Sequence, residues 1–198
     1  MKFLSIICIT CLVFACSDQA PPEPENAFTE TLTINLPQSL ETDGVVTDFA
    51  MLSENAGPTT ISIAPDGAIW YTLSSGNAIG KMQPDGSGMM EYPIPTPNSS
   101  PRIIALGSDG NMWFSEHNSG KMGRITPEGV ITEFDLSSPD SQPRAIALGS
   151  DGNIWIGMFA ASRVARITPE GVVTEFDIPT PDSGPRALAA GPDGNIWV

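Results

Sequence analysis

The chain has one histidine, His117, and it directly follows Glu116 in the stretch WFSEHNSG (Trp113–Gly120). An imidazole beside a carboxylate can move a proton, because histidine changes charge near neutral pH. The positions that match Glu116 elsewhere in the chain are Leu73 and Met158, so the pair breaks a pattern its surroundings obey. A plain exposed loop histidine is the competing reading. A second set of residues is regular: Arg102, Arg144 and Arg186 recur at intervals of 42, with Thr59 at the matching place before them. Guanidinium groups in such a series could bind a carboxylate or polar carbonyls. Alternatively, each pairs with an acidic neighbour such as Glu133 or Asp177. The sequence has no Cys/His cluster with metal spacing, no Gly-rich phosphate loop and no Ser/His/Asp order. Its Asp-Gly-Asn triplets resemble the start of a calcium loop, but the rest of that loop is missing and they read as turns.

What must position these residues is a repeat. Asp-Gly pairs begin at Asp66, Asp109, Asp151 and Asp193, at intervals of 43, 42 and 42. A second phrase runs out of phase with the first: DGVVTDF from Asp43, DGSGMMEY from Asp85, EGVITEF from Glu128 and EGVVTEF from Glu170. One extra residue, Gly88, accounts for the longer interval in both series. A fixed period of this size belongs to propellers and solenoids.

The content of a repeat selects between them. AIALG (Ala145–Gly149), NIWIG (Asn153–Gly157), RVARI (Arg163–Ile167) and VVTEF (Val172–Phe176) are short runs rich in β-branched or aromatic residues, separated by glycine turns. We denote these four positions strands A to D. No window has helical spacing. The expected fold is all-β: a β-propeller of four-stranded antiparallel blades, with about 3.5–4 blades present. The A–B and C–D turns then share one face. The more variable B–C and D–A loops share the other, where binding is usually built. That face carries Glu116, His117, Arg102, Arg144 and Arg186, and a small molecule or surface ligand is its expected partner. The sequence stops at Val198 inside a strand B. Either it belongs to a longer polypeptide, or TLTINL (Thr31–Leu36) and VVTDF (Val45–Phe49) complete that last blade as strands C and D.

The opening MKFLSIICITCLVFAC reads as an export signal over residues 1–16, with Lys2 before an apolar run too short to span a bilayer as a helix. Ala15-Cys16 resembles the lipoprotein box, which makes Cys16 the expected lipidation site. An exported bacterial lipoprotein of the periplasm or cell surface follows, and Ser17 resembles an outer-membrane signal. Residues 17–29 are Pro- and Glu-rich and are expected to be a disordered tether, with the propeller over residues 30–198. A net charge of −14 disfavours nucleic acid and anionic lipid, so membrane attachment would be through the lipid alone, and the protein is expected to be a monomer.

The phrase GSDGNMWFSEHNSGKMGRITPEGVITEF (Gly107–Phe134) resembles the virginiamycin B lyase (streptogramin lyase) family, and the resemblance extends over about Asp43 to Val198. It implies a seven-bladed ring and a Mg²⁺-dependent elimination that opens an ester in a cyclic depsipeptide. In that reaction a base removes the proton α to the ester carbonyl, the metal stabilises the enolate and the ester oxygen leaves. Glu116, the Glu of WF-x-E, is the candidate metal ligand for such chemistry and His117 the candidate base, while the resemblance places the family's own catalytic residues in later blades. The first and third repeats depart from the pattern, with WYTL and WIGM in place of WF-x-E. Two other functions fit the same architecture: a non-catalytic surface-binding propeller and a lactonase-type metal hydrolase.

Overall fold

The computed structural model describes residues 3–5, 32–34 and 44–198, in two compact units whose boundary in the chain falls between Met51 and Leu52. In the first unit, β1 (Phe3–Ser5) pairs with β4 (Asp48–Ala50), and β2 (Leu32–Ile34) pairs with β3 (Gly44–Val46), both antiparallel. Apart from Phe3–Ser5, the expected signal, its Cys16 and the tether lie outside the described residues.

The second unit contains the repeats. Three four-stranded antiparallel sheets follow one another, each in chain order. The first comprises β5 (Pro58–Ile63), β6 (Ile69–Leu73), β7 (Ala78–Met82) and β8 (Met90–Pro93). The second comprises β9 (Pro101–Leu106), β10 (Met112–Glu116), β11 (Lys121–Ile125) and β12 (Ile131–Asp135). The third comprises β13 (Pro143–Leu148), β14 (Ile154–Met158), β15 (Arg163–Ile167) and β16 (Val173–Asp177). A hairpin of β17 (Ala189–Ala190) and β18 (Ile196–Trp197) begins the next repeat. The inner strands β5, β9, β13 and β17 pack against one another in succession, and every closely packed strand pair between two sheets includes an inner strand. The sheets therefore converge at their first strands and fan apart, as propeller blades do.

The recurring phrase builds each A–B hairpin as a side-chain lock. Asp109 Oδ1 accepts from Asn111 N (3.1 Å) and from the Trp113 indole Nε1 (3.2 Å), while Oδ2 accepts from Asn111 Nδ2 (2.8 Å). Asp151 repeats this with Asn153 and Trp155. The indole crosses directly over Gly107, where an added Cβ would lie 2.5 Å from Asp109 Oδ1 and 2.6 Å from Trp113. Glycine at that place is required by close approach, and Gly149 and Gly191 stand in the same relation to Trp155 and Trp197. The first repeat has Ala64 there, with Asp66 accepting from Ala68 N (3.0 Å).

Two apolar clusters join blade to blade. Trp70 and Ile79 of the first blade pack with Ile104, Met112, Phe114 and Ile125 of the second. Trp113 and Met122 of the second pack with Ile154, Ile156 and Met158 of the third. Burial of Trp70 and Trp113 between blades matches the expectation from sequence, whereas Trp155 is half-buried and Trp197 exposed. The TPEG and TEF phrases supply polar bolts across the same junctions. Lys81 Nζ, 4.8 Å over the Trp70 ring, donates to the Pro127 carbonyl (3.1 Å), and Arg124, 5.5 Å over Trp113, donates to the Pro169 carbonyl (2.7 Å). Gly129 lies against the Tyr92 ring and Gly171 against Phe134, leaving no room for a Cβ. Glu133 accepts from Thr96 N (2.8 Å) and Oγ1 (3.0 Å), and Glu175 accepts from Ser137 N (2.7 Å) and Oγ.

If the indole lock is structural, Gly107→Ala displaces Trp113 and breaks its bond to Asp109. The expected loss is ~1–3 kcal/mol of stability, the usual cost of overpacking, measured by urea unfolding followed by tryptophan fluorescence. An unchanged midpoint would show that the close approach is relieved without cost.

Candidate functional site

Glu116 and His117 occupy the end of β10 and the start of the loop after it, and both are buried, at 0% and 5% exposure. Strand alternation sends them apart. Glu116 shares its face of β10 with Met112 and Phe114, which pack toward the first blade. Trp113, on the opposite face, packs toward the third. The charged neighbours agree: Glu116 feels Glu133, Lys121 and Asp135, whereas His117 feels Arg102 and Arg144. The two side chains share none of these neighbours.

Glu116 Oε2 accepts from Ser119 Oγ (3.1 Å), and Oε1 has no partner. Burial, followed by repulsion from Glu133, pushes its pKa from 4.5 up to about 7. Glu133 is already held by Thr96, and Asp135 pairs with Lys121 at 2.8 Å. Magnesium asks for several converging oxygen ligands. Among the described residues no group of three or more Asp, Glu, His or Cys side chains converges, and Glu116 supplies only one free oxygen. These residues alone do not fit the magnesium site that the family resemblance implies.

His117 lies with the arginines. Arg102, Arg144 and Arg186 line one open hollow of about 330 Å³ with Thr59, Thr60 and Ile103. Arg102 and Arg144 are the second residues of β9 and β13, at irregularities in the pairing of those strands with β10 and β14. The matching irregularity in β5 spans Thr59 and Thr60. A bulge re-aims the side chain it carries, and here it falls repeatedly at the arginine position. Thr60 Oγ1 donates to the Arg102 carbonyl (2.7 Å) and accepts from Ile104 N (3.2 Å), tying β5 to β9 beside the bulge.

The local pairing of these arginines with Glu133 or Asp177 does not occur. Thr96 holds Glu133, and Arg163 holds Asp177 at 2.6 Å. Among the described residues the ion pairs use Lys121, Arg124 and Arg163, and none uses Arg102, Arg144 or Arg186. Aromatic rings lie among them instead. Phe159 lies 4.5 Å from Arg144 and 4.7 Å from Arg186. One repeat earlier the same position is His117, whose pKa is lowered by burial, then by Arg102 and Arg144, against the Pro143 backbone, which acts to raise it. The order is thus Arg102, His117, Arg144, Phe159, Arg186. Phe159 was not a sequence candidate. The signal that points to it is its place one repeat after His117.

Glu116 gives a prediction with a definite sign. Its folded pKa lies above the ordinary value, so its contribution to stability is full below pH 4.5 and is lost as pH rises through about 7. Glu116→Gln removes that loss. In urea unfolding at both ends of the window, the variant should gain on the parent by up to ~3 kcal/mol as pH rises. A constant difference would show that Glu116 is not a raised carboxyl.

Comparison with known proteins agrees with this architecture. A virginiamycin B lyase from Bordetella parapertussis is 38% identical over 50 residues, covering 25% of this chain and 16% of that protein. The structure of a catalytically inactive His-to-Ala variant of virginiamycin B lyase from Staphylococcus aureus with quinupristin superposes with a TM-score of 0.75 at 38% identity, over 78% of this chain and 52% of that one. A putative 6-phosphogluconolactonase from Bacteroides uniformis shares the fold at 20% identity and a TM-score of 0.60. The chain thus spans about half the length of the lyase it superposes on and a smaller share of the Bordetella protein. The Virginiamycin B lyase family profile matches residues 22–198, and the chain belongs to that family.

Proposed function

We propose that this chain forms the binding wall of a propeller lyase that opens an ester bond in a cyclic depsipeptide of the streptogramin B type by elimination. The observation that carries the reading is the convergence of Arg102, Arg144 and Arg186 on one hollow with a buried neutral imidazole beside them. In this reading the guanidinium groups take carbonyl oxygens of the substrate and stabilise negative charge as it develops there. His117 is the base. Its ring is held neutral, and its Nδ1 is buried with no partner, so it is free to accept the proton α to the ester carbonyl. The C–O bond then breaks and the ester oxygen leaves with the electron pair. The described residues do not supply the ligands of a magnesium ion, so this reading assigns stabilisation of the developing charge to the arginines. Export as a lipoprotein belongs to the same proposal.

A second reading is binding without turnover. The burial of His117 at 5% exposure and the opposite facing of Glu116 favour it.

Incubation with a streptogramin B, with and without added magnesium, separates the readings by chromatographic retention and product mass together. Elimination gives a linear dehydro isomer of shifted retention and unchanged mass, lactonase-like hydrolysis adds one water, and binding alone returns the substrate unchanged in both. If His117 is the base, His117→Ala abolishes turnover, and the acid limb of kcat/KM in the parent falls below 6.5, the ordinary histidine value. Full turnover in His117→Ala would remove this residue from the chemistry.

A further inference from the structure

We propose that the hollow between the inner strands is an oxyanion site, in which Arg102, Arg144 and Arg186 bind one carboxylate or phosphate group. This stands independently of the lyase reading, because it concerns a charged ligand and requires no turnover.

The argument begins with charge balance. The chain carries −14 overall, so basic groups have an abundance of acidic partners available. Elsewhere in the repeats they use them or are otherwise engaged. Lys121 pairs with Asp135 at 2.8 Å and Arg163 with Asp177 at 2.6 Å, Lys81 and Arg124 donate to carbonyls of the next blade, and Arg166 makes no ion pair but lies 5.9 Å over the Trp155 and Phe176 rings of its own blade. The inner arginines differ: their hollow is lined by Thr59, Thr60, Arg102, Ile103, Arg144 and Arg186, with no acidic residue. Asp182 borders an adjoining hollow with Arg186 and Phe159, and it makes no ion pair with Arg186.

Geometry holds the cations together. Inner strands that pack in succession bring residues from three repeats to one place. Burial, then the charges of Arg102 and Arg186, disfavours the charged form of Arg144, so these groups do feel one another. Arg144 Nε is buried and has no partner. Phe159 contacts both Arg144 and Arg186, fixing their guanidinium planes by cation–π attraction. The nearby threonine hydroxyls are occupied: Thr59 and Thr60 both bond the Arg102 carbonyl. The hollow therefore offers guanidinium donors held close against their own repulsion. An oxyanion relieves that repulsion, and its planar or tetrahedral oxygens match the guanidinium fork. A cationic or purely apolar ligand would leave it in place.

Binding to the folded state alone must also stabilise that state. The test is a thermal unfolding and calorimetry series on the full chain at fixed ionic strength set with chloride. The probes are inorganic phosphate, an N-acetyl amino acid with a free carboxylate, and the neutral amide of that amino acid. Saturable binding with a rise in Tm is expected for phosphate, the carboxylate or both, and none for the amide. Which of the two binds more tightly tells a phosphate ligand from a carboxylate one. The imidazole NMR signal of His117, the chain's only histidine, should shift with the same saturation curve. Arg144→Gln should weaken binding by about tenfold or more, whereas Arg163→Gln, on an outer strand, should retain it. The proposal is overturned if neither oxyanion binds saturably, or if Arg144→Gln binds as tightly as Arg163→Gln. Neither result bears on the depsipeptide assay, which is scored by product retention and mass without added oxyanion.

Discussion

The constraint on which the structure depends is the junction between one repeat and the next. A single four-stranded sheet of this size cannot bury both faces, and its Trp would be left in water. The next repeat covers it, and the cover is specific. A cation on the third strand reaches across to a TPEG carbonyl, and the glycine of that turn lies flat on the aromatic ring of the preceding blade's fourth strand. The acid of TEF then accepts two bonds from the loop that arrives from the preceding blade. Apolar burial supplies the driving force, and the polar bonds fix the angle at which blades meet.

That angle brings the candidate site into being. Inner strands converge only because outer strands are held apart at a set spacing, and convergence places Arg102, Arg144 and Arg186 in one hollow. Bulges at the start of β9 and β13 then turn those side chains at a local register shift, while the pairing among the outer strands stays regular. The rings of His117 and Phe159 follow from the same repeat position, and their common chemistry is to be uncharged and flat beside guanidinium groups. A charged imidazole would add to the repulsion, which is why burial and Arg102 and Arg144 hold its pKa down.

Much of this was legible in the sequence because the repeat exposes it. Spacing gave the strands, and the shared Asp-Gly turns gave the hairpins. What spacing hid was the work of the conserved-looking small residues. Gly107 reads as the end of a strand, and only the path of the Trp113 indole shows that it is there to leave room. Glu133 reads as a surface acid available to an arginine, and it is in fact committed to Thr96. Glu116 and His117, adjacent in sequence, read as a pair, yet alternation along β10 separates them. The site arginines were found because their period is visible. Phe159 was not, because its partner position carries a different residue type.

The bolts of each junction connect residues about one period apart, so copying or deleting a whole period regenerates every joint intact. Such an event adds or removes one blade and, where the module carries an inner-strand arginine, one guanidinium at the inner-strand hollow. The positive potential there would change in integer steps by gene-level duplication, with no residue in any existing module having to mutate.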